Sequence, residues 1–152
     1  MISRFMEVPT MTHWNAAKRI LHYIKGTLGY GLFYHPCDDF KLVGYCDSGW
    51  ASNSNDRKST IGFIFFMGNT AFTWNSKKQL IVTLSSCEAK YVVATSCACH
   101  ALWLRKILKS LQLSQKEATK IFVDNKSTLA LVKNPVFHGR SKHIDTRYHF
   151  LR

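Results

Sequence analysis

Residues 41–46 (KLVGYC), 61–66 (IGFIFF) and 70–75 (TAFTWN) decide the fold, because each is a short run of mainly apolar and aromatic residues. Turn-forming residues separate these runs. Residues 80–84 (LIVTL) have a similar composition, so they predict a further strand. The connections between the runs are too short for the crossover that parallel neighbours require. This part of the chain therefore predicts a meander of antiparallel strands.

The periodicity changes at Ser86. From there to Leu111 the chain has no Gly or Pro, and small or apolar residues recur at helical spacing, which predicts one long helix. Residues 119–123 (TKIFV) predict a strand that ends at Asp124, and a helix over 126–133 follows it. Strands followed by helix, strand and helix predict an α/β domain with a mixed sheet.

The two ends of the chain show weaker patterns. Apolar residues at helical spacing predict a helix between Thr12, as its N-cap, and Gly26, which would end it. Residues 30–35 (YGLFYH) fit a short strand or a linker. Asp145 stands where an N-cap would begin a last helix, which the chain end cuts short at Arg152.

The charge balance predicts a polyanionic partner. The chain has 21 Lys and Arg against 9 Asp and Glu, a formal net charge of +12 and a pI near 9.7. Nucleic acid is the commonest such partner, because each neutralised phosphate releases condensed counterions. An anionic membrane surface is the weaker alternative, and a basic surface that serves only solubility is the third.

Composition argues against two classes of protein. No stretch approaches the roughly 20 uncharged apolar residues that cross a bilayer, and the N-terminus lacks the order of a secretory signal. We therefore expect a soluble, intracellular protein that does not bind membranes. The five cysteines include no CxxC pair, which argues against a disulfide framework and a zinc site and predicts thiols without a disulfide partner.

Three of the nine acidic residues fall at the ends of predicted elements. Asp47 and Asp124 each follow a strand, and Asp145 precedes a helix. Carboxylates at strand ends of one sheet can converge on a crevice, and hard cations such as Mg²⁺ prefer oxygen ligands. The alternative is that each aspartate is only a cap or turn residue, because aspartate favours such places.

Four strings of the sequence resemble the motifs of a known family. They are VGYCDSGWASNSNDRKSTIGF (43–63), FTWNSKKQLIVTLSSCEAKYV (72–92), IFVDNKSTLALVKNP (121–135) and FHGRSKHIDTRYHFLR (137–152). In order and spacing they resemble the ribonuclease H domains of copia-type (LTR) retrotransposon Pol polyproteins. Residues 1–35 resemble the end of the preceding reverse transcriptase region, which leaves residues 36–152 as a ribonuclease H-like domain with a truncated C-terminal helix.

The resemblance implies a mixed five-stranded sheet, with its first three strands antiparallel and helices on both faces. It implies a hydrolase with a two-metal Mg²⁺ site, an endonuclease that cuts the RNA strand of RNA–DNA hybrids. Asp47, Asp124 and Asp145 match the metal-binding aspartates of the family, and His143 matches a residue that helps product release. The implied partners are the hybrid and the adjoining reverse transcriptase domain, in a cytoplasmic virus-like particle or the nucleus.

One departure from the family pattern changes the functional expectation. The metal-binding Glu of the family stands in an Ala-Glu-Tyr or Ala-Glu-Leu string, and here that string is Ala89-Lys90-Tyr91. An ammonium in place of a carboxylate repels Mg²⁺. Glu88 substitutes only if the helix starts later, because two residues turn a helical side chain by roughly 200°. We therefore expect impaired cleavage, and the alternative is a non-catalytic vestigial or hybrid-binding domain.

Basic side chains are the candidates for phosphate contacts, and the alternative is that each is only a solvated surface residue. These candidates are Arg57, Lys58, Lys77, Lys78, Arg140 and Lys142. Trp50, Trp74, Trp103 and the ten phenylalanines are candidates for stacking on bases. The apolar neighbours of most of these aromatic residues favour a place in the core instead, because buried aromatic rings contribute large apolar area.

Overall fold

The computed structural model divides the chain into two compact units, Met1–Tyr34 and His35–Arg152. Among the described residues, none of the helices combines the length and the hydropathy of a membrane-spanning segment. Strands and helices of the second unit position the candidate site. The residues that the structure describes are 2–36, 40–51, 56–134 and 144.

The first unit contains a short 3-10 helix, Ile2–Phe5, and helix α1, Met11–Gly26. Thr10 precedes α1 in an extended conformation, and its backbone N–H donates to His13 Nδ1 at 3.1 Å. The N-cap is therefore Thr10 and not the predicted Thr12. Since α1 has no buried residue, its own capping and helix propensity count for more than packing within this unit.

Residues 30–35 form no strand, so the linker that the sequence left as the alternative is the observed form. A Cβ added at Gly29 or Gly31 would meet nothing within 4 Å. Strand propensity acts largely through packing against neighbouring strands and side chains. Composition alone therefore does not produce a strand over these residues.

The second unit is built on a mixed four-stranded sheet in the order β3-β2-β1-β4. The strands are β1 Leu42–Gly49, β2 Thr60–Met67, β3 Thr70–Lys78 and β4 Lys120–Val123. β1 and β3 both pair antiparallel with β2, whereas β4 pairs parallel with β1. The first three strands are therefore antiparallel, as predicted. The fifth strand that the resemblance implies is not among the described residues.

Residues 80–84 do not form the strand that their composition predicts. β3 ends at Lys78, and an irregular segment leads from there to the long helix. The indole Nε1 of Trp50 donates to the Thr83 carbonyl at 3.2 Å, and the hydroxyl oxygens of Thr83 and Ser59 lie 3.3 Å apart. The side chains of Trp50 and Ser59 thus bind polar groups of this segment. These tertiary contacts override its strand propensity.

The described part of this unit also contains two helices, α2 over Ser86–Ser110 and α3 over Lys126–Lys133. Their bounds agree with the predicted helices over 86–111 and 126–133. α2 lies on one face of the sheet, and α3 packs beside α2, where the Thr128 hydroxyl donates to the Cys87 carbonyl at 3.1 Å. Helices on both faces of the sheet stay a prediction.

Alternate residues of the strands form the core beneath α2. In β1, Leu42 and Cys46 are buried against the helix, whereas Tyr45 and Asp47 are exposed on the opposite face. Gly44 also faces the helix, where the Phe65 ring leaves no room for a side chain. The core consists of Leu42, Cys46, Ile61, Phe63, Phe65, Val93, Ala94, Cys97, Ala101, Leu104 and Leu108.

Candidate active site

Asp47 and Asp124 lie near the carboxyl ends of two parallel, neighbouring strands. β1 and β4 pair in a register that sets Cys46 opposite Val123, so an aspartate follows each of these paired residues. Asp124 comes directly after β4 as predicted, whereas Asp47 lies within β1, which continues to Gly49 and does not end before Asp47. Cys46 and Val123 both pack against the core. Because successive side chains of a strand alternate between faces, the two aspartates project from the exposed face of the sheet.

The side chain of Lys90 reaches both carboxylates from the second turn of α2. Its Nζ lies 3.1 Å from Asp47 Oδ1 and 2.5 Å from both carboxylate oxygens of Asp124. The lysine side chain is only 15% exposed, whereas the side chains of Asp47 and Asp124 are 73% and 63% exposed. Lys90 therefore joins three elements, α2, β1 and β4, through one ammonium group.

The charges of this cluster reinforce one another. The hydrogen bonds to Asp124 and Asp47 raise the pKa of Lys90, although burial opposes the rise. The hydrogen bond from Lys90 lowers the pKa of Asp47, and the backbone N–H of Ser48, which donates to Asp47 Oδ1 at 2.7 Å, acts in the same direction. Lys90 and Asp47 are consequently both charged at neutral pH.

Glu88 serves the start of α2. Ser85 is the N-cap, and its Oγ accepts from the Glu88 backbone N–H at 3.2 Å. Glu88 Oε2 accepts in turn from the Leu84 backbone N–H at 2.8 Å. This arrangement is close to a capping box, in which the acid reaches back to the backbone before the helix. Glu88 was a candidate ligand only for a later helix start, and that condition is not met because α2 begins at Ser86.

The donor groups at this edge do not fit a divalent cation as they stand. Mg²⁺ needs carboxylate or water oxygens at about 2.0–2.1 Å, and the Lys90 ammonium already occupies the space between Asp47 and Asp124. No group of three or more His, Cys, Asp or Glu in the described residues is arranged to hold a metal. The two-metal site stays a prediction. Four predicted site residues, Asp145, His143, Arg140 and Lys142, lie outside the described part of the chain.

A groove of about 610 Å³ opens on the exposed face of the sheet beside the two aspartates. The rings of Tyr45 and Phe122 stack along it, with centroids 5.0 Å apart and an angle of 16° between the planes. Gly62, which pairs with Asp47 across β1 and β2, lines the groove and has no side chain to fill it. Sequence reasoning missed this aromatic pair. The sequence feature that could have revealed the pair is its spacing, because Tyr45 and Phe122 each stand two residues before an aspartate and so share a face of the sheet with it.

The three candidate tryptophans lie outside the core. Trp50, Trp74 and Trp103 are 50%, 62% and 53% exposed, so the expectation of burial is wrong for them, whereas it is confirmed for Phe63 and Phe65. The difference follows from the strand and helix positions that they occupy. Trp74 pairs with Ile64 on the exposed face of the sheet, and the two phenylalanines face α2.

Four of the predicted phosphate-binding residues lie in the described part of the second unit. Arg57 and Lys77 are exposed, and Lys58 is partly exposed. Lys78 forms an ion pair with Asp56, with 2.7 Å between Nζ and Oδ2. The ion pair leaves Lys78 less available to a phosphate than Lys77, its exposed neighbour.

Two named Pol polyproteins match nearly the whole chain, and a third relative matches about two thirds of it. The retrovirus-related Pol polyprotein from transposon TNT 1-94 of Nicotiana tabacum is 42% identical over 151 residues, which are 99% of this chain and 11% of that polyprotein. The polyprotein from transposon RE2 of Arabidopsis thaliana is 38% identical over 151 residues, 99% of this chain and 10% of that polyprotein. Secreted RxLR effector protein 161 of Plasmopara viticola is 41% identical over 103 residues, 68% of this chain and 72% of that protein.

No protein-family model matches the chain. The polyprotein relatives are far longer than this chain, which spans about a tenth of their length. The similarity therefore concerns one region of those polyproteins, and it runs through both compact units. On these matches, the chain corresponds to one region of the retrovirus-related Pol polyproteins of copia-type transposons.

Proposed function

We propose that this chain is the ribonuclease H region of a copia-type Pol polyprotein, which binds RNA–DNA hybrids but cleaves them poorly or not at all. The relatives and the mixed sheet, with aspartates at the ends of two parallel strands, support a nuclease ancestry. The observation that carries the loss of cleavage is the Lys90 ammonium between Asp47 and Asp124.

The charge of the cluster explains why cleavage is lost. Two carboxylates and one ammonium give a formal charge of −1, so the anionic phosphodiester approaches a negative site. In nucleases of this kind, bound Mg²⁺ supplies the positive charge that the attacking water and the leaving oxygen need. Lys90 forms ion pairs with both carboxylates, so its ammonium group neutralises them and does not bind a phosphate.

Hybrid binding does not require the metal site. The formal net charge of +12 favours a polyanion, and exposed Arg57 and Lys77 are candidates for backbone contacts. The adjoining reverse transcriptase domain of the same polyprotein is the proposed protein partner, because the relatives are Pol polyproteins. A 2′-hydroxyl would distinguish the RNA strand from DNA.

Cleavage of an end-labelled RNA–DNA hybrid in Mg²⁺ or Mn²⁺ tests the proposal. We expect little or no cutting by the chain as it stands and partial recovery in Lys90→Glu, because the substitution adds a third carboxylate to the site. Lys106→Glu is the matched control, since Lys106 is exposed on the same helix, and it should recover nothing. Adding Asp124→Asn to the Lys90→Glu variant should abolish any recovered cutting.

Binding is measured separately by fluorescence anisotropy of the same hybrid across a series of salt concentrations. We expect affinity to fall with salt, and Lys77→Ala to lower the slope of log K against log salt by about 1 if Lys77 contacts one phosphate. Brisk cutting by the unmodified chain would overturn the claim of lost cleavage. Failure to bind the hybrid even at low salt would overturn the claim of binding.

A further inference from the structure

We infer that Lys90 is a tethered counter-ion that replaces a divalent cation in the folded chain. Its ammonium links α2 to the carboxyl ends of β1 and β4 and closes this edge of the sheet to metal ions. The inference concerns the stability and metal binding of the protein without nucleic acid. It is therefore independent of whether the chain binds or cleaves a hybrid.

The parallel register of β1 and β4 creates a charge problem that a cation must relieve. Asp47 and Asp124 follow paired residues on adjacent strands, and like charges in such positions destabilise a sheet. The Lys90 ammonium contacts three of the four carboxylate oxygens, Asp47 Oδ1 and both oxygens of Asp124. One side chain thus bridges the two carboxylates and reduces their repulsion, as a metal ion would otherwise do.

The backbone of α2 fixes the position of Lys90. Its neighbours Ala89 and Tyr91 are completely buried, so this turn of the helix cannot rotate without disrupting the packing of the unit. The Ala89 carbonyl also accepts from the Gln79 side-chain amide at 2.8 Å in a buried contact. The ammonium is therefore held at the carboxylates rather than free to swing into solvent.

A metal ion and the ammonium exclude each other at this edge. A divalent cation bound to the same oxygens would lie within a few ångströms of Nζ, where repulsion between the two charges is strong. Moving Lys90 aside would cost its ion pairs with both aspartates and would bring a side chain that is only 15% exposed into solvent. The stability of the folded chain should consequently not depend on Mg²⁺.

Thermal unfolding of the full chain with Mg²⁺ or with EDTA tests this inference, together with titration of Mn²⁺ followed by electron paramagnetic resonance. The wild-type Tm should be the same in both buffers, and no saturable Mn²⁺ binding should appear at this edge. In EDTA, Lys90→Met should lower the Tm by about 2–5 °C, because the carboxylates lose their counter-ion. Mg²⁺ should restore most of that loss, and Mn²⁺ should bind at a single site.

Two variants serve as controls. Lys106→Met removes an exposed lysine from the same helix and should change neither the Tm nor Mn²⁺ binding. Asp124→Asn added to Lys90→Met should abolish the response to Mg²⁺. The inference is overturned if wild-type protein binds Mn²⁺ at a site that Asp124→Asn removes, a measurement that holds even if Lys90→Met fails to fold. It is also overturned if folded Lys90→Met behaves like Lys106→Met.

Discussion

The two faces of the sheet are formed by the same strands, yet one face forms the core and the other carries the candidate site. On the face beneath α2, residues such as Leu42, Cys46 and Phe65 are buried in one core. On the opposite face, Tyr45 is half exposed and Asp47 meets Lys90 at the strand end. Alternation along β1 thus separates the residues that stabilise the fold from those that form the candidate site, so each set can be changed without the other.

The largest expected loss of stability comes from removing a large side chain on the buried face. Phe65 is completely buried, and Phe65→Ala should lower the free energy of unfolding by about 3–5 kcal/mol, because it leaves a cavity beneath α2. Tyr45→Ala on the exposed face is the matched control and should cost about 1 kcal/mol, since half of that side chain is already in water. Urea denaturation measures both. Equal losses would contradict the division between the two faces.

A smaller effect is expected where two strands approach closely on the buried face. A Cβ at Gly44 would lie 2.8 Å from Phe65 Cε1, so Gly44→Ala should cost about 1–3 kcal/mol through overpacking. Gly62→Ala is the matched control on the exposed face, where the nearest heavy atom to a new Cβ, the Asn75 backbone oxygen, is 3.8 Å away. It should be neutral or stabilise by up to about 1 kcal/mol. Combining Gly44→Ala with Phe65→Leu should cost less than the sum of the two changes.

The start of α2 should contribute less than the core does. Ser85 caps the helix through the Glu88 backbone N–H, and Ser85→Ala should lower the free energy of unfolding by about 1 kcal/mol. Ser114→Ala, at an exposed position after the helix, is the control and should have no measurable effect. An equal effect of the two substitutions in urea denaturation would show that the cap does not stabilise α2.

The smallest expected effect is a pH dependence on the buried face. His100 lies against the rings of Phe63 and Phe65, and burial lowers its pKa. Its neutral form is favoured in the folded protein, so stability is present above the unfolded pKa of about 6.5 and is lost as the pH falls through the folded pKa. His100→Gln should flatten the Tm profile between neutral and mildly acidic pH. His22→Gln, at an exposed position of α1, should leave the profile of the second unit unchanged.

Local signals predicted the helices and most strands. The absence of Gly and Pro and the apolar spacing located α2, and the asparagine after Asp124 caps α3 as its side chain accepts from the Thr128 backbone N–H at 3.0 Å. The strand predicted over 80–84 is wrong, and of the strand and the linker predicted over 30–35 the linker is observed, because strand propensity depends on neighbours that sequence does not reveal. The exposed tryptophans were misplaced for the same reason, since apolar neighbours in sequence do not fix which face a residue occupies.

By itself, the sequence determined which charges this chain possesses and on which elements they stand. It placed an aspartate near the end of each of two strands and a lysine where the family that the sequence resembles carries a glutamate. Only the tertiary structure decided that these three groups meet. The parallel register of β1 and β4 aligns Asp47 with Asp124, and the packing of α2 brings Lys90 within hydrogen-bonding distance of both. The physical reason is that such contacts join residues far apart in the chain, and burial of the core sets their geometry rather than any local preference.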